Sequence, residues 1–219
     1  MENKIRNIRD YVERHKNIFL ERHSAKLPLR WRIYQLLFYF WMKYVKITKR
    51  DFSKPKSEFE KAIRTFPICG NVLDIGGGSG WMSEYWQRSG DEKYYVLDPI
   101  LRKAIFKQKS YLESNLFFVQ GQAEKINFKN SVFNCVIIAA SLDHFSNPDK
   151  GLQEAARVLK KCGNLIISNQ ISYSGRSKIG HQRNFSLQEL QKLIEKYFEI
   201  NRLSFNQNKK VVYIWATKI

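Results

Sequence analysis

The sequence predicts an α/β domain built on a mostly parallel sheet and preceded by a basic, aromatic-rich segment. Three observations predict it. From about residue 55 onward, strand-like and helix-like patterns alternate. The run VLDIGGGSG, residues 72–80, is apolar with one acid and then breaks into glycines. A buried parallel strand ends this way when its turn must let a ligand approach the backbone. The last two strand-like runs, EINRLSF and VVYIWATK, flank the polar turn NQNKK, which adds an antiparallel hairpin to the sheet edge.

The individual elements follow in chain order. Phe59, Ala62, Ile63 and Phe66 recur at helical spacing, so 56–66 reads as a helix feeding the first strand, 71–75. A helix over 80–89 comes next, with Trp81, Met82, Tyr85 and Trp86 on its apolar face. The strand YYVLD (94–98), a helix over 100–113 and the strand LFFVQ (116–120) follow, then VFNCVIIAA (132–140). Asn147 and Pro148 supply the cap and first turn of a helix. Leu152, Ala155, Ala156 and Leu159 form its stripe, and Gly163 is expected to close it. NLIISN (164–169) is a fifth strand, and Ser186 with Glu189 opens a last helix as a capping box.

Bulk composition narrows the function. The chain has 219 residues, 43% hydrophobic and 26% charged, which supports a full core and excludes disorder over most of its length. Cys69, Cys135 and Cys162 stand apart, without a CxxC pair or a nearby histidine cluster, so neither a zinc site nor a disulfide framework is expected. That usage fits a reducing cytoplasm. The N-terminus, MENKIRNIRDYVERH, mixes charge signs and has no apolar core, so it does not read as a secretory signal. The formal net charge of +18 fits a polyanionic partner (nucleic acid, an anionic lipid surface or an acidic substrate) or simply a lysine-rich solvated surface. The excess is concentrated in residues 1–66, with 17 Lys/Arg against 7 Asp/Glu.

The glycine turn lies where open α/β sheets bind ligands, at the carboxyl end of a strand. Gly76, Gly78 and Gly80 give GxGxG. A dinucleotide-binding turn prefers GxGxxG, whose third glycine lets helix and strand approach; here that position is Trp81. Asp74, inside the strand, repels a pyrophosphate but organises the turn and attracts an ammonium group. The ligand is therefore expected to bear a cation and no phosphates.

DIGGGSG resembles motif I of the class I S-adenosylmethionine-dependent methyltransferases, in particular the methyltransferase type 11-like domain. Asp98, at the end of YYVLD, matches the acid that in this family binds the ribose hydroxyls; one carboxylate accepts hydrogen bonds from both hydroxyls of a cis-diol. GQAEKINF (121–128) resembles the family's G-D-A-x-x-L-P-F segment, and SLDHFSNPDKGLQEAARVLKKCG (141–163) resembles the stretch that ends in R-V-L-K-P-G-G. The resemblance covers about 55–219. It implies a Rossmann-like class I methyltransferase fold: a seven-stranded, mostly parallel sheet with a C-terminal antiparallel hairpin over 56–219, and a helical extension or lid over 1–55. It implies S-adenosyl-L-methionine as cofactor and no metal, with contacts from Asp74, Gly76, Gly77, Gly78, Gly80, Asp98, Pro99, Gln122, Ala123 and Ser141. Gln122 stands where the family often has an aspartate that meets the adenine amino group; its carbonyl accepts from that amine without charge assistance. Cys162 replaces the proline of the P-G-G turn.

Such a reaction is an in-line methyl transfer in which positioning supplies much of the rate. A base assists when the acceptor is a hydroxyl or an amine. His144, after the fourth strand, and His181, in the loop GRSKIGHQRNFS, are the candidates; the resemblance implies a histidine in that later loop near the acceptor. The alternatives are turn packing for His144 and a solvated loop for His181. Asp143 either orients His144 or faces water, with water favoured, and Tyr173 is a further pocket candidate. There is no N-P-P-Y or D-P-P-Y after strand four, so methylation of adenine or glutamine amines is not signalled. No cysteine sits in a Pro-Cys loop, which argues against covalent pyrimidine methylation.

Residues 30–50, RWRIYQLLFYFWMKYVKITKR, hold an apolar core of about ten residues, half of what a bilayer-spanning helix needs. Trp31, Tyr34, Phe38, Tyr39, Trp41 and Tyr44 with flanking Arg and Lys suit a lid over the cofactor, a helix lying peripherally on an anionic membrane, or a nucleic-acid contact. The leading expectation is a methyltransferase acting on a small-molecule, lipid or lipid-linked sugar acceptor. An RNA methyltransferase and a non-catalytic protein of the same fold are the alternatives; no recognisable RNA-binding module supports the former.

Overall fold

A seven-stranded sheet organises the chain, in the order β5-β4-β2-β6-β7-β9-β8. The computed structural model describes residue 63 and residues 68–78, 80–99, 115–171 and 183–219. The elements are β1 (Ile68–Cys69), β2 (Val72–Ile75), β3 (Trp86–Gln87), β4 (Tyr94–Asp98), β5 (Leu116–Gln120), β6 (Phe133–Ala139), α1 (Pro148–Val158), β7 (Leu159–Gln170), α2 (Leu187–Ile194), β8 (Phe198–Phe205) and β9 (Val211–Lys218). All described residues belong to one compact unit, Asp51–Ile219. The expected helices over 56–66 (apart from Ile63) and 100–113, and the extension 1–55, lie outside the described residues.

The five strands β5, β4, β2, β6 and β7 pair in parallel, and β9 then runs antiparallel to both β7 and β8. Central β2 is buried along its whole length because both faces of the sheet are covered. Leu73 and Ile75 pack into the cluster that takes in Leu152 and Ala155 of α1 and Leu190 and Ile194 of α2. Val72 packs into the opposite cluster with Met82, Tyr94, Ile137 and Trp215. The order reverses at β2, which lies between β4 and β6. The carboxyl ends of these three strands therefore surround one crevice, where open α/β sheets bind ligands.

Two expected elements differ. The stretch expected as a helix over 80–89 is a single 3₁₀ helix, Trp81–Tyr85, followed directly by β3. The Ser83 amide and hydroxyl both donate to the Gly80 carbonyl, at 3.1 and 2.7 Å, which closes the shorter i to i+3 ring. Trp86 then turns extended, its indole N–H donates to the Gly70 carbonyl at 3.0 Å, and β3 pairs in parallel with β1. The second difference concerns the end of α1. Its cap is as expected, with the Asn147 side chain accepting from the Lys150 amide, but the helix stops at Val158 instead of running to Gly163. Leu159 is already extended and pairs with Phe133, and the register resumes at Asn164 opposite Cys135. Residues 160–163 bulge in between, with Cys162 at φ 57°. The predicted strand 164–169 is thus the second half of β7. The capping box at Ser186 and Glu189 forms as expected.

A clamp fixes the segment after β5 to α1. Arg157 grips Glu154 with two nitrogens at 2.8 Å. The same guanidinium donates to the carbonyls of Ile126 (2.7 Å) and Phe128 (2.8 Å) and to Asn130 Oδ1 (2.8 Å). Glu154 accepts the Ile126 amide at 3.0 Å. The irregular run 121–130 so finds hydrogen-bond partners on a helix. The side-chain hydrogen bond from Arg157 leads the causes that hold the Glu154 carboxyl below the usual range. Arg157→Met is expected to destabilise the fold by about 2–3 kcal/mol in urea unfolding, because it strands buried acceptors. A depressed folded-state value contributes stability above the unfolded value of about 4.3 that is lost as pH falls through the folded one. The stability gap between wild type and Glu154→Gln should accordingly narrow below about pH 4.

Candidate functional site

The site is built where β2 ends. Gly76, Gly78 and Gly80 all adopt positive φ, at 71°, 55° and 68°. A Cβ on Gly76 would stand 2.5 Å from the Ser141 Cβ, and one on Gly77 would stand 2.4 Å from the Asp74 Cγ. The turn therefore passes directly over the Asp74 carboxylate and directly against the end of β6. No side chain larger than hydrogen fits at either position. The Gly76 amide donates to the Leu97 carbonyl at 2.7 Å, and the Gly80 amide closes the turn on Gly77 at 2.8 Å.

Asp74 is 0% exposed, and Tyr94, from the first position of β4, donates its hydroxyl to Asp74 Oδ2 at 3.0 Å. Sealed beneath Gly77, Asp74 organises the turn from below. Asp98 ends β4 and is buried to 7% exposure; its Oδ2 accepts the Gly78 amide at 3.2 Å. The acid that ends β4 and the glycine turn are thus one hydrogen-bonded unit. Pro99 follows and accepts from Gln120 Nε2 through its carbonyl at 3.3 Å. Next along the edge, the Gly121 amide donates to the Asp98 carbonyl at 3.3 Å, Gln122 is exposed, and Ala123 is buried in the core.

On the other side of β2, Ser141 donates its hydroxyl to the Ile75 carbonyl at 2.7 Å, tying the end of β6 to the start of the glycine turn. A 3₁₀ turn, Leu142–His144, follows, anchored by buried Leu142 and Phe145. The preference for water at Asp143 is corrected here: its residue is 3% exposed, and the carboxylate Oδ1 lies 3.8 Å from His144 Nε2. The turn folds inward because its flanking apolar residues are drawn into the core, and they carry Asp143 with them.

The described residues bring Asp74, Gly76, Gly77, Gly78, Asp98 and Ser141 together. His181 and Tyr173 lie outside them. The neck of their loop is held all the same: Ile171 bridges Phe185 in parallel, and Arg183 donates to the Ser146 carbonyl at 3.0 Å, two residues past His144. Sequence reasoning missed Tyr94 as the partner of Asp74. Its signal in the sequence was a phenol at the head of the strand beside β2. Burial pushes the Cys135 thiol up, which removes it as a nucleophile.

Residues 73–167 match the family model described as a methyltransferase domain. Two curated relatives are ubiquinone/menaquinone biosynthesis C-methyltransferases, from Vibrio cholerae (29% identical over 102 residues) and Blochmanniella floridana (33% over 102). Each match covers 44% of this chain, and the chain spans only 39% and 40% of those relatives' lengths. Among solved structures, an S-adenosylmethionine-dependent methyltransferase from Thermotoga maritima, described as a possible histamine N-methyltransferase, aligns with TM-score 0.63 at 22% identity, covering 87% of this chain and all of that one. One from Aquifex aeolicus aligns with TM-score 0.61 at 19% identity, covering 78% and 100%. At these identities the structural likeness speaks for the fold.

The closeness of the turn is open to a direct check. Gly76→Ala should cost about 2 kcal/mol or more in denaturant unfolding, from the left-handed backbone and the overlap with Ser141. Ser141→Gly in the same chain should recover part of that loss. The matched segment, the seven-stranded sheet and the acid-linked glycine turn give residues 73–167 a methyltransferase domain, in a chain with the fold of the S-adenosylmethionine-dependent methyltransferases.

Proposed function

We propose that this chain transfers the methyl group of S-adenosyl-L-methionine to a small-molecule, lipid or lipid-linked sugar acceptor. The observation that carries the reading is the hydrogen bond from the Gly78 amide to Asp98. It joins the acid suited to a ribose cis-diol to a turn whose bare glycines admit a ligand against the backbone. When bound, the cofactor supplies an electrophilic methyl on a sulfonium. The residues do the rest: Asp98 accepts from the ribose hydroxyls, Gln122 and Ala123 border the adenine, and Gly76, Gly77, Gly78 and Gly80 accept the methionine end. Ser141 holds the turn against β6, and Asp74 keeps it in shape. His144 takes the acceptor's proton where the acceptor is a hydroxyl or amine, with His181 as a second candidate in the loop after β7. The domain division at residue 55 belongs to this reading.

The acceptor class rests on residues 30–50. Their aromatic core flanked by Arg and Lys suits peripheral contact with an anionic membrane surface, where lipid or lipid-linked acceptors reside. No helix among the described residues is long and apolar enough to cross a membrane. The relatives named for ubiquinone/menaquinone biosynthesis support an apolar acceptor and bring C-methylation alongside O- and N-methylation.

Calorimetric titration with S-adenosyl-L-methionine tests the cofactor. Wild type should bind, and Asp98→Ala should weaken binding by about 10–100-fold, the loss expected for hydrogen bonds to a charged group. Absence of binding by wild type overturns the reading. Comparing metabolites and lipids from cells with and without the protein by mass spectrometry then finds the acceptor, as a methyl-mass difference that Asp98→Ala abolishes.

A further inference from the structure

The carboxyl edge of the sheet changes charge where β7 takes over from β6. We infer that the methyl acceptor carries a phosphate or diphosphate group, held by Arg183, Lys209 and Lys210 beside the end of β7. The inference rests on the methyl-transfer reading of the site and names the acceptor's chemistry.

Topology brings the three cations to one edge. β7 runs parallel to β6, and β9 runs antiparallel to β7 and β8. The tip between β8 and β9, residues 206–210, therefore lies at the carboxyl end of β7. The Ile171 amide donates to the Lys210 carbonyl at 2.9 Å, which ties the tip to the residue that follows β7. Arg183 belongs to the same neck: Ile171 bridges Phe185, and the Arg183 guanidinium donates to the Ser146 carbonyl at 3.0 Å. That bond joins the neck to the segment just past His144. The tip is built to hold its shape. Asn206 Oδ1 accepts the Lys210 and Val211 amides at 2.9 and 3.0 Å, and Asn208 Oδ1 accepts the Lys210 amide at 3.1 Å. Lys209 stands at φ 55°, a left-handed position that glycine or asparagine fills with less strain, yet the tip keeps a cation there.

No acid offsets this charge. Elsewhere on the domain, Lys196 meets Asp149 and Arg157 meets Glu154, each at 2.8 Å. Lys209 and Lys210 are exposed and form no ion pair among the described residues. The sequence has no Asp or Glu from 155 to 188 or from 200 to 219. Acids that flank this region are engaged: Glu189 Oε2 accepts the Ser186 amide and hydroxyl at 2.8 Å each, and Glu124 Oε1 accepts the Asn147 amide at 3.0 Å. A lysine surplus spread evenly over a solvated surface would not leave two acid-free runs that meet at one neck. In the sheet order these cations lie on the β7–β9 side, whereas Asp98, Asp74 and Asp143 belong to β4, β2 and the turn after β6. Cations grouped without acids attract an oxyanion, and the Arg183 guanidinium has donors beyond the one on Ser146. A phosphate brings about two charges to such a group where a carboxylate brings one.

Calorimetric titration of the full chain with inorganic pyrophosphate at low ionic strength tests the site. Wild type should bind, and Lys209→Gln with Lys210→Gln should weaken binding about tenfold, as two exposed charge contacts together would. Lys209→Arg with Lys210→Arg should retain it. Lys129→Gln with Lys161→Gln removes two exposed lysines near the paired starts of β6 and β7, at the opposite edge, and should leave binding unchanged. No binding by wild type, no loss in the first pair, or an equal loss in the control pair overturns the inference. In the mass-spectrometric comparison of cells, the species with the methyl-mass difference should release a phosphate fragment, and a methylated species without phosphate overturns the inference as well. Recovery of that species in the organic extract assigns the phosphate to a lipid, and in the aqueous extract to a soluble ester. Failure of wild type to bind S-adenosyl-L-methionine sinks the methyl-transfer reading and leaves the pyrophosphate titration as it is, so the two failures are distinguishable.

Discussion

The burial of one carboxylate shapes the centre of this domain. Asp74 sits at the third position of a four-residue strand with both faces covered, where a charge has no access to water. Its surroundings follow from that constraint. A tyrosine must stand at the head of the neighbouring strand to donate to it, and the chain leaving β2 must fold back over it. Only glycine at position 77 permits that close a passage. Once the turn is laid over Asp74, the Gly78 amide faces the end of β4, where Asp98 receives it. One acid inside the strand thereby fixes the geometry of a second acid at the edge of the crevice.

The opposite rim depends on a different contact. The run from Gly121 to Asn130 has little regular structure of its own, and a loop of that kind drifts unless its carbonyls are met. Arg157 meets them with a planar fork, and Glu154 both orients that fork and captures the Ile126 amide. Lysine has one compact charge and would reach one carbonyl where arginine reaches several. The arginine near the end of α1 thus serves a local physical purpose within the family motif. It holds the run that follows Ala123 against α1.

The sheet was legible in the sequence because its strands are mostly apolar runs: YYVLD, largely buried, and LFFVQ, the partly exposed edge strand, have the bounds expected of them. The two helix caps were legible because capping is local chemistry, a side chain meeting an amide three residues on. Periodicity misled where a competing bond decided the outcome. WMSEYW has helical spacing, but Ser83 takes the Gly80 carbonyl and Trp86 leaves for Gly70. Leu159 continues the stripe of α1, yet β6 claims it as a strand partner. Within the site, the glycines and Asp98 announced themselves by spacing from the end of a strand. The depth of Asp143 did not, since a polar residue in a turn gives no sign of which way its neighbours will pull it.

Three acids end up at the carboxyl edge of the sheet, and their environments divide the labour. Asp74 is sealed and structural, Asp98 lies under the glycine turn, and Asp143 lies next to an imidazole. Together they place three carboxyl groups along this edge in a chain whose formal net charge is +18. A field of one sign, focused in a cleft, selects ligands of the other sign regardless of the overall charge. S-adenosyl-L-methionine carries a sulfonium and an ammonium, cations of the kind that carboxyl groups favour.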